Sequence, residues 1–151
     1  MKTIMMNMVR IFKENEVLVL DKKMKHGWEG LTFPGGKMEA NETFEEAAIR
    51  EVKEETNLNV WNLSYNGVIV WYEKGHRLVG LLYTTFDFSG DLIEIGDEGQ
   101  LFFEDYQAFL NRDKKSDSME DILDIYHGMY KEIYMYYDEN GKLIDKKKVK
   151  A

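Results

Sequence analysis

The chain has 151 residues, about the length of one domain, and its 20 Lys and Arg against 28 Asp and Glu leave a formal net charge of −8. It has no cysteine, which excludes disulfides, thiol nucleophiles and iron–sulfur clusters, and its three histidines are spaced too widely for a helical zinc motif. No apolar run approaches a membrane span and the first residues do not form a signal peptide, so we expect a soluble, cytoplasmic protein with a single domain over residues 1–151.

Strand and turn patterns dominate the first 36 residues. Strands are predicted at residues 3–12, 17–20 and 31–33. The polar turn Lys13-Glu14-Asn15-Glu16 separates the first two strands. The third strand is expected to stop at Pro34-Gly35-Gly36, the strongest break in the chain, which contains its one proline.

A helix is predicted from residue 42 to residue 56, where Gly and Pro are absent and strong helix formers prevail. Asn41 is suited to cap its start, and Asn57 can take the left-handed conformation at its end. The apolar side that can face the core consists of Ala48, Ile49 and Val52.

Downstream of this helix, strand patterns alternate with short helical ones. Strands are predicted at residues 64–72, 77–88, 101–103, 131–137 and 142–144, and short helices at residues 104–110 and 118–126. Asn140-Gly141 is a strong hairpin signal between the last two strands. Because regular βαβ alternation is lacking, we expect an α+β fold in which helices pack on a mixed sheet.

Three carboxylates share one side of the long helix. At about 100° per residue, Glu51, Glu54 and Glu55 fall within roughly a third of the helix circumference. Like charges at this spacing repel one another, whereas a hard divalent cation such as magnesium takes carboxylate oxygens together with substrate phosphates. The alternative interpretation is an ordinary solvated helix face.

The loop before the helix bears on the same question. Gly35 and Gly36 allow the backbone to approach a ligand closely, and Lys37 is a candidate phosphate partner. Taken alone, a Pro-Gly-Gly sequence is more often only a turn.

The loop and the helix together resemble the Nudix box, G-x5-E-x7-R-E-U-x-E-E-x-G-U, in which U is aliphatic. The matching residues are Gly36, Glu42 and Arg50-Glu51-Val52-Lys53-Glu54-Glu55-Thr56-Asn57-Leu58. Every fixed position agrees except Asn57, which stands where the family has glycine. The departure is mild, because asparagine is the next best residue for a left-handed turn at a helix end.

This resemblance implies a Nudix fold, a mixed β-sheet sandwiched between helices, and hydrolysis of a nucleoside diphosphate linked to a further group with Mg²⁺ or Mn²⁺. It also implies that Arg50 holds the catalytic carboxylates by ion pairing and that Glu42 is an outer acid. The implied metal ligands or base are the Gly35 carbonyl, Glu51, Glu54 and Glu55.

An acidic loop downstream supplies a further ligand or base candidate. The run Asp97-Glu98-Gly99-Gln100 resembles the loop of MutT-type members in which a glutamate before Gly-Gln meets the metal. Glu98 is therefore the first candidate, with Asp97 and Glu94 as competitors. A solvated loop acid is the alternative.

Features outside the box bear on the substrate. The proline that follows the box in ADP-ribose hydrolases is absent. The compact run Trp28 to Lys37, together with Ser116-Asp117-Ser118 before a helix, resembles 8-oxo-dGTP diphosphatases. By this resemblance Asp117 is a candidate for purine recognition, ahead of Asp113 and Asp121, although Asp117 or Ser118 can also simply cap the helix.

Aromatic side chains are candidates for stacking on a nucleotide base, although strand aromatics more often belong to the core. These candidates are Trp28, Phe33 and Tyr83. His127, near a helix end, is expected to be structural. The basic tail, residues 146–150, is expected to be a solvated, frayed terminus rather than a nucleic-acid site.

The leading hypothesis is a magnesium- or manganese-dependent hydrolase that converts a nucleoside triphosphate, such as 8-oxo-dGTP, to monophosphate and pyrophosphate. Alternatives are a Nudix hydrolase of a dinucleoside polyphosphate, a capped RNA end or ADP-ribose, and a module that senses nucleotides without cleaving them. A small-molecule nucleotide is the expected partner, with no membrane and no stable nucleic-acid complex, since neutralising duplex phosphates needs a basic surface. The sequence indicates no particular oligomeric state.

The net charge is concentrated around the box. Residues 39–55 contain seven glutamates against Arg50 and Lys53, which amounts to −5 of the total of −8. Bound divalent cations would offset part of this charge, so an acidic protein can handle an acidic substrate.

Overall fold

The computed structural model describes residues 1–23 and 29–151 of the chain. The strands are β1 (Lys2–Lys13), β2 (Glu16–Lys22), β3 (Gly30–Thr32), β4 (Gly35–Lys37), β5 (Asn59–Trp61), β6 (Ser64–Glu73), β7 (His76–Thr85), β8 (Asp87–Ser89), β9 (Ile95–Gly96), β10 (Gly99–Asp105), β11 (Tyr130–Tyr137) and β12 (Leu143–Lys150). The helices are α1 (Phe44–Thr56), α2 (Tyr106–Leu110) and α3 (Met119–Tyr126). Of the helices in the described ranges, none has the length and apolarity needed to cross a membrane.

Strands of both orientations form the main sheet. Within the described residues its strand order is β12-β11-β6-β7-β1-β2-β10-β9, with β3 added to β2 and β4 added to β1. The β1–β7 and β6–β11 pairs are parallel, and the other pairs in this sheet are antiparallel. The predicted mixed sheet is therefore confirmed.

Helices cover both faces of this sheet. Alternate residues of β1 point to opposite faces, so Val9 and Ile11 enter the core under α1, whereas Met8 and Phe12 pack against the core under α2 and α3. The α1 side chains in the first core are Ala48 and Val52, both fully buried. The structure confirms the predicted sandwich of a mixed sheet between helices.

The long helix begins two residues later than predicted. Thr43, not Asn41, is the N-cap of α1, and it forms a capping box with Glu46: the Thr43 hydroxyl accepts from the Glu46 N–H at 3.0 Å, and the Glu46 carboxylate accepts from the Thr43 N–H at 2.8 Å. The box satisfies two backbone donors at once, an advantage that Asn41 alone lacks. At the other end the prediction is confirmed, because Asn57 is left-handed with φ of 69°.

The predicted break after the third strand is confirmed, because β3 ends at Thr32, but Gly35-Gly36 is part of a further strand, β4, that was not predicted. In β4, Gly36 lies opposite Asn7 and Gly35 opposite Met8. A Cβ atom at Gly35 would lie 2.0 Å from the backbone oxygen of Asn7, so this pairing tolerates only glycine. The basic tail is not frayed, because it forms β12 and pairs with β11 as far as Lys150.

Candidate active site

Strand β4 brings the glycine pair against helix α1. The Gly35 N–H donates to Glu55 Oε1 at 3.1 Å, and the Gly36 N–H donates to Asn7 Oδ1 at 3.2 Å. A Cβ atom at Gly36 would lie 2.1 Å from Glu51 Oε2. Because Gly36 has no side chain, the Glu51 carboxylate can lie directly against β4.

Arg50 ties the acids of the box together. Its Nε and Nη2 donate to the two carboxylate oxygens of Glu42 at 2.6 and 2.9 Å, and Nη1 donates to Glu51 at 2.8 Å and to Glu54 at 3.1 Å. A further bond runs from Nη2 to the Lys37 carbonyl at 2.9 Å, which links the helix to β4. These carboxylates raise the pKa of Arg50, and the paired guanidinium lowers the pKa of Glu42.

The surroundings of Glu51 disfavour its charged form. Burial raises the pKa of its carboxyl group, and the nearby Glu54 and Glu98 add to this rise, whereas Arg50 opposes it. Additional positive charge near Glu51 would therefore stabilise its ionised carboxylate. A cation bound next to the Glu51 carboxylate would supply that charge.

A cavity of about 540 Å³ opens beside these groups. Of the candidate acids, Glu51, Glu55 and Glu98 line it, whereas Glu54, Asp97 and Glu94 do not. Glu54 lies on the outer side of Arg50 with 58% of its side chain exposed. The structure therefore separates acids that face the cavity from acids that only surround it.

The donor chemistry at this end of the cavity suits a hard cation. Carboxylate and carbonyl oxygens are the donors that Mg²⁺ and Mn²⁺ take. Within residues 1–23 and 29–151, however, no three Asp, Glu or His side chains already stand in a metal-holding group. Arg50 bonds Glu51 through Oε1, and the Gly35 N–H bonds Glu55 through Oε1, so each of these hydrogen bonds uses one oxygen of its carboxylate.

Comparison with known proteins decides the family. Residues 1–122 match the sequence model of the NUDIX domain. The chain belongs to the Nudix family. The residues that match its Nudix box are Gly36, Glu42, Arg50, Glu51, Glu54 and Glu55.

Curated relatives resemble the chain over parts of their length. The Bacillus subtilis protein YtkD, whose assigned name proposes 8-oxo-dGTP diphosphatase activity, is 37% identical over 60% of this chain and 59% of its own. The Nudix hydrolase YvcI of the same bacterium is 29% identical over 65% of this chain and 63% of its own. An NAD-capped RNA hydrolase, NudC of Vibrio parahaemolyticus, is 33% identical over 59% of this chain and 35% of its own. The matches thus span less than two thirds of these relatives.

Solved structures share the fold of this Nudix domain. A MutT protein from Bacillus halodurans superposes with a TM-score of 0.78 at 21% identity, over 96% of this chain and 97% of its own. The ORF135 protein of E. coli superposes with a TM-score of 0.72 at 21% identity, over 85% and 91%.

Across β1 from the acids, β7 and β6 contribute apolar side chains to the Nudix cavity, among them Leu78, Leu82 and Trp71, and this part is called the apolar end. The polar residues Ser116 and Asp117, on the loop before α3, also line the cavity. The predicted cap interaction is absent there: Ser118 is the N-cap residue of α3, but its hydroxyl accepts instead from Trp71 Nε1 at 3.0 Å. Asp117 is thus at the cavity, whereas Asp121 is buried and ion-paired with Lys146 at 2.9 Å.

The three aromatic candidates for base stacking differ in their positions relative to the cavity. Phe33 borders the cavity but is 2% exposed, with its ring 5.2 Å from that of Phe109 and 5.5 Å from that of Tyr126. It is primarily a core residue. Tyr83 belongs to the core under α1 and does not line the cavity. Trp28 lies outside the described residues.

The remaining predicted residues lie around the same site. Lys37 lines the cavity and is exposed, and its carbonyl accepts the hydrogen bond from Arg50 Nη2. Asp113 does not line the cavity but a neighbouring groove, which shares Lys22 with it. His127 is a hydrogen-bond partner of the Tyr106 hydroxyl at 2.8 Å, in line with the structural role predicted for it.

Sequence reasoning missed several residues of the cavity, among them Asn7, Trp71 and Gly80. Asn7 is a buried polar residue in the middle of β1, and its side chain oxygen holds the Gly36 N–H. Trp71 and Gly80 lie on neighbouring strands of the cavity floor. A glycine inside the strand pattern of residues 77–88 was the available signal.

Proposed function

We propose that this Nudix domain is a divalent-metal-dependent pyrophosphohydrolase that cleaves nucleoside triphosphates to a monophosphate and pyrophosphate, with an oxidised purine nucleotide such as 8-oxo-dGTP as its physiological substrate. The observation that carries this proposal is the division of the cavity lining across β1. On one side, Glu51 and Glu55 lie against the glycine pair of β4. On the other side, β7 and β6 contribute Gly80 and Trp71, and Ser118, the neighbour of Asp117, bonds the Trp71 indole. A nucleotide has the same division, with a charged polyphosphate and a flat base.

The acidic end is suited to a metal-bound polyphosphate. Glu51, Glu55 and Glu98, with Glu54 and the Gly35 carbonyl beside them, are the oxygen donors that would hold Mg²⁺ or Mn²⁺. Such an ion, when bound, lowers the pKa of water and offsets phosphate charge. Lys37 lies at the cavity, where it can contact a phosphate group.

The carboxylates have further tasks in this proposal. One of Glu51, Glu54 or Glu98 accepts a proton from the attacking water. Arg50 keeps Glu51 and Glu54 in position through its paired hydrogen bonds at 2.8 and 3.1 Å. Its bidentate contact with Glu42 fixes the guanidinium itself.

The choice of substrate rests on similarity and on the apolar end. The relative YtkD has a name that proposes 8-oxo-dGTP diphosphatase activity. Asp117, at the rim of the apolar end, offers an acceptor for purine N–H groups. A capped RNA end is the second candidate, because NudC is also a relative, although only 35% of NudC is matched.

A substrate panel tests the proposal. The purified chain is incubated with dGTP, 8-oxo-dGTP, dATP, UTP, a dinucleoside polyphosphate, ADP-ribose and NAD-capped RNA, each with Mg²⁺ or Mn²⁺, and the products are separated by chromatography. Monophosphate and pyrophosphate from a triphosphate, with 8-oxo-dGTP preferred, is the expected result. Preferred cleavage of another substrate contradicts the substrate assignment, and saturable binding without turnover under either metal favours the sensing module.

Glutamine variants test the site. Glu51→Gln, Glu54→Gln and Glu55→Gln are expected to fold normally and to lose most metal-dependent turnover. Glu45→Gln is the matched control, since Glu45 is an exposed glutamate on the first turn of the same helix. If all three variants turn over at the rate of the control, the site assignment is wrong.

A further inference from the structure

The floor of the cavity contains a glycine that its backbone does not require. Gly80 lies inside β7, paired with Met6 of β1 on one side and with Ile69 of β6 on the other. It is not among the glycines with positive φ, so its backbone conformation is open to any residue. Because glycine inside a strand is unfavourable, its presence there points to a close approach of other atoms.

The approaching atoms belong partly to Trp71. A Cβ atom at Gly80 would lie 3.1 Å from Trp71 Cζ3 and 3.2 Å from Ile69 Cγ2. Trp71 is only 5% exposed and lines the cavity next to Gly80. The edge of the indole ring therefore lies against the space that a side chain at position 80 would occupy.

The indole is also anchored from the helix side. Its Nε1 donates to Ser118 Oγ at 3.0 Å, and Ser118 is the left-handed residue, with φ of 68°, at the start of α3. The neighbouring Asp117 lines the cavity. One loop thus positions both an aromatic ring and a polar group at the apolar end.

We propose that Gly80 and Trp71 determine which base the cavity accepts: Gly80 sets the depth of the floor, and the anchored indole sets its width. A side chain at position 80 would push the indole away or fill the space beside it. The occupant that fits an apolar floor with a polar rim is a flat heteroaromatic ring of purine size. This inference rests on the proposed function, since it concerns the base end of the same site.

Calorimetric binding of the products GMP and UMP, in the presence of Mg²⁺, tests this inference without turnover. The wild-type chain is expected to bind GMP more tightly than UMP. Gly80→Val is expected to weaken GMP binding by about tenfold or more, and Gly80→Ala by less, because small changes of volume in an apolar pocket have effects of this order. Val79→Ile is the matched control, because it adds volume on the same strand but Val79 packs against the core under α1.

The anchor is tested separately. Ser118→Gly removes the hydroxyl that holds the indole and keeps a residue suited to positive φ, so the fold is expected to be retained. It is expected to reduce the preference for GMP over UMP. Thermal unfolding of each variant shows whether a loss of binding is a loss of structure; if Gly80→Val does not fold, Gly80→Ala and Ser118→Gly decide the matter.

The outcomes separate this inference from the proposed function. Equal binding of GMP and UMP by the wild-type chain, or wild-type GMP affinity in the folded Gly80 variants, overturns the inference even if triphosphates are hydrolysed. Conversely, a preference for GMP that the Gly80 variants lose supports the inference even if the substrate panel shows no triphosphate hydrolysis.

Discussion

Gly36 and Glu51 occupy a single space between β4 and α1, because the Glu51 carboxylate fills the position that a side chain at residue 36 would need. The neighbouring Gly35 has a different constraint, since its missing side chain faces the backbone of β1. The box glycine Gly36 and the glycine before it, Gly35, therefore have different roles. Gly36 makes room for an acid, and Gly35 makes room for strand pairing.

Alanine at each glycine is expected to separate activity from stability. In Gly36→Ala the obstacle is the end of a flexible side chain, so Glu51 can move aside, and we expect less than about 1 kcal/mol of destabilisation with a large loss of turnover. In Gly35→Ala the obstacle is the Asn7 carbonyl, so we expect about 1–3 kcal/mol of destabilisation or more. Urea unfolding and kcat measure the two effects. Equal losses of stability in both variants would contradict this distinction.

Arg50 is expected to act through geometry as much as through charge. Lysine retains the charge but cannot make the bidentate contact with Glu42 while also holding Glu51 and Glu54. We expect Arg50→Lys to lower kcat by about a hundredfold, the scale of a small misplacement of catalytic groups, with a smaller change in KM. Steady-state kinetics measure this effect. Lys53→Arg on the same helix is the control, since the Lys53 ammonium bonds the helix end at Asn57.

The C-terminal strand is expected to stabilise the wall of the cavity. Lys146 and Lys148 of β12 pair with the buried Asp121 of α3 at 2.9 and 3.6 Å. Replacing both lysines by alanine leaves a buried carboxylate without its partners, and we expect about 1–3 kcal/mol of destabilisation because the lysines are partly exposed. Lys147→Ala is the matched control, because Lys147 lies over the Tyr136 ring instead. Urea unfolding that fails to distinguish the double variant from the control would refute the role of this pairing.

The stability of the protein is expected to fall in mild acid through His127. Burial lowers the pKa of His127, the nearby Arg10 lowers it further, and Asp124 opposes the shift. The unfolded chain therefore takes up the proton more readily, so this contribution is complete above the unfolded pKa of about 6.5 and is lost as the pH falls below it. His127→Gln, which cannot be protonated, is expected to show a flatter dependence of the free energy of unfolding between about pH 7 and pH 5. Identical slopes for both proteins would exclude this contribution.

Local signals in the sequence predicted most of the elements. The glutamate-rich run from residue 42 onwards forms α1, and Asn57 ends it in the left-handed conformation. The start was misplaced because Asn41 and Thr43 are both good caps, and the reciprocal bond with Glu46 favours Thr43. Strand β4 was missed because a glycine pair after proline is locally a break, and only pairing with β1 makes it a strand.

The sequence by itself determined the Nudix family, the helix that carries the glutamates and the mixed sheet, since these depend on residue spacing along the chain. Only the tertiary structure decided that Glu51, Glu55 and Glu98 face the cavity while Glu54 lies outside Arg50. The tertiary structure also showed that Trp71, Gly80 and Ser118 lie together at the apolar end. The physical reason is that such neighbours come from strands and loops far apart in the chain, and sheet register and helix packing, not local propensity, bring them together.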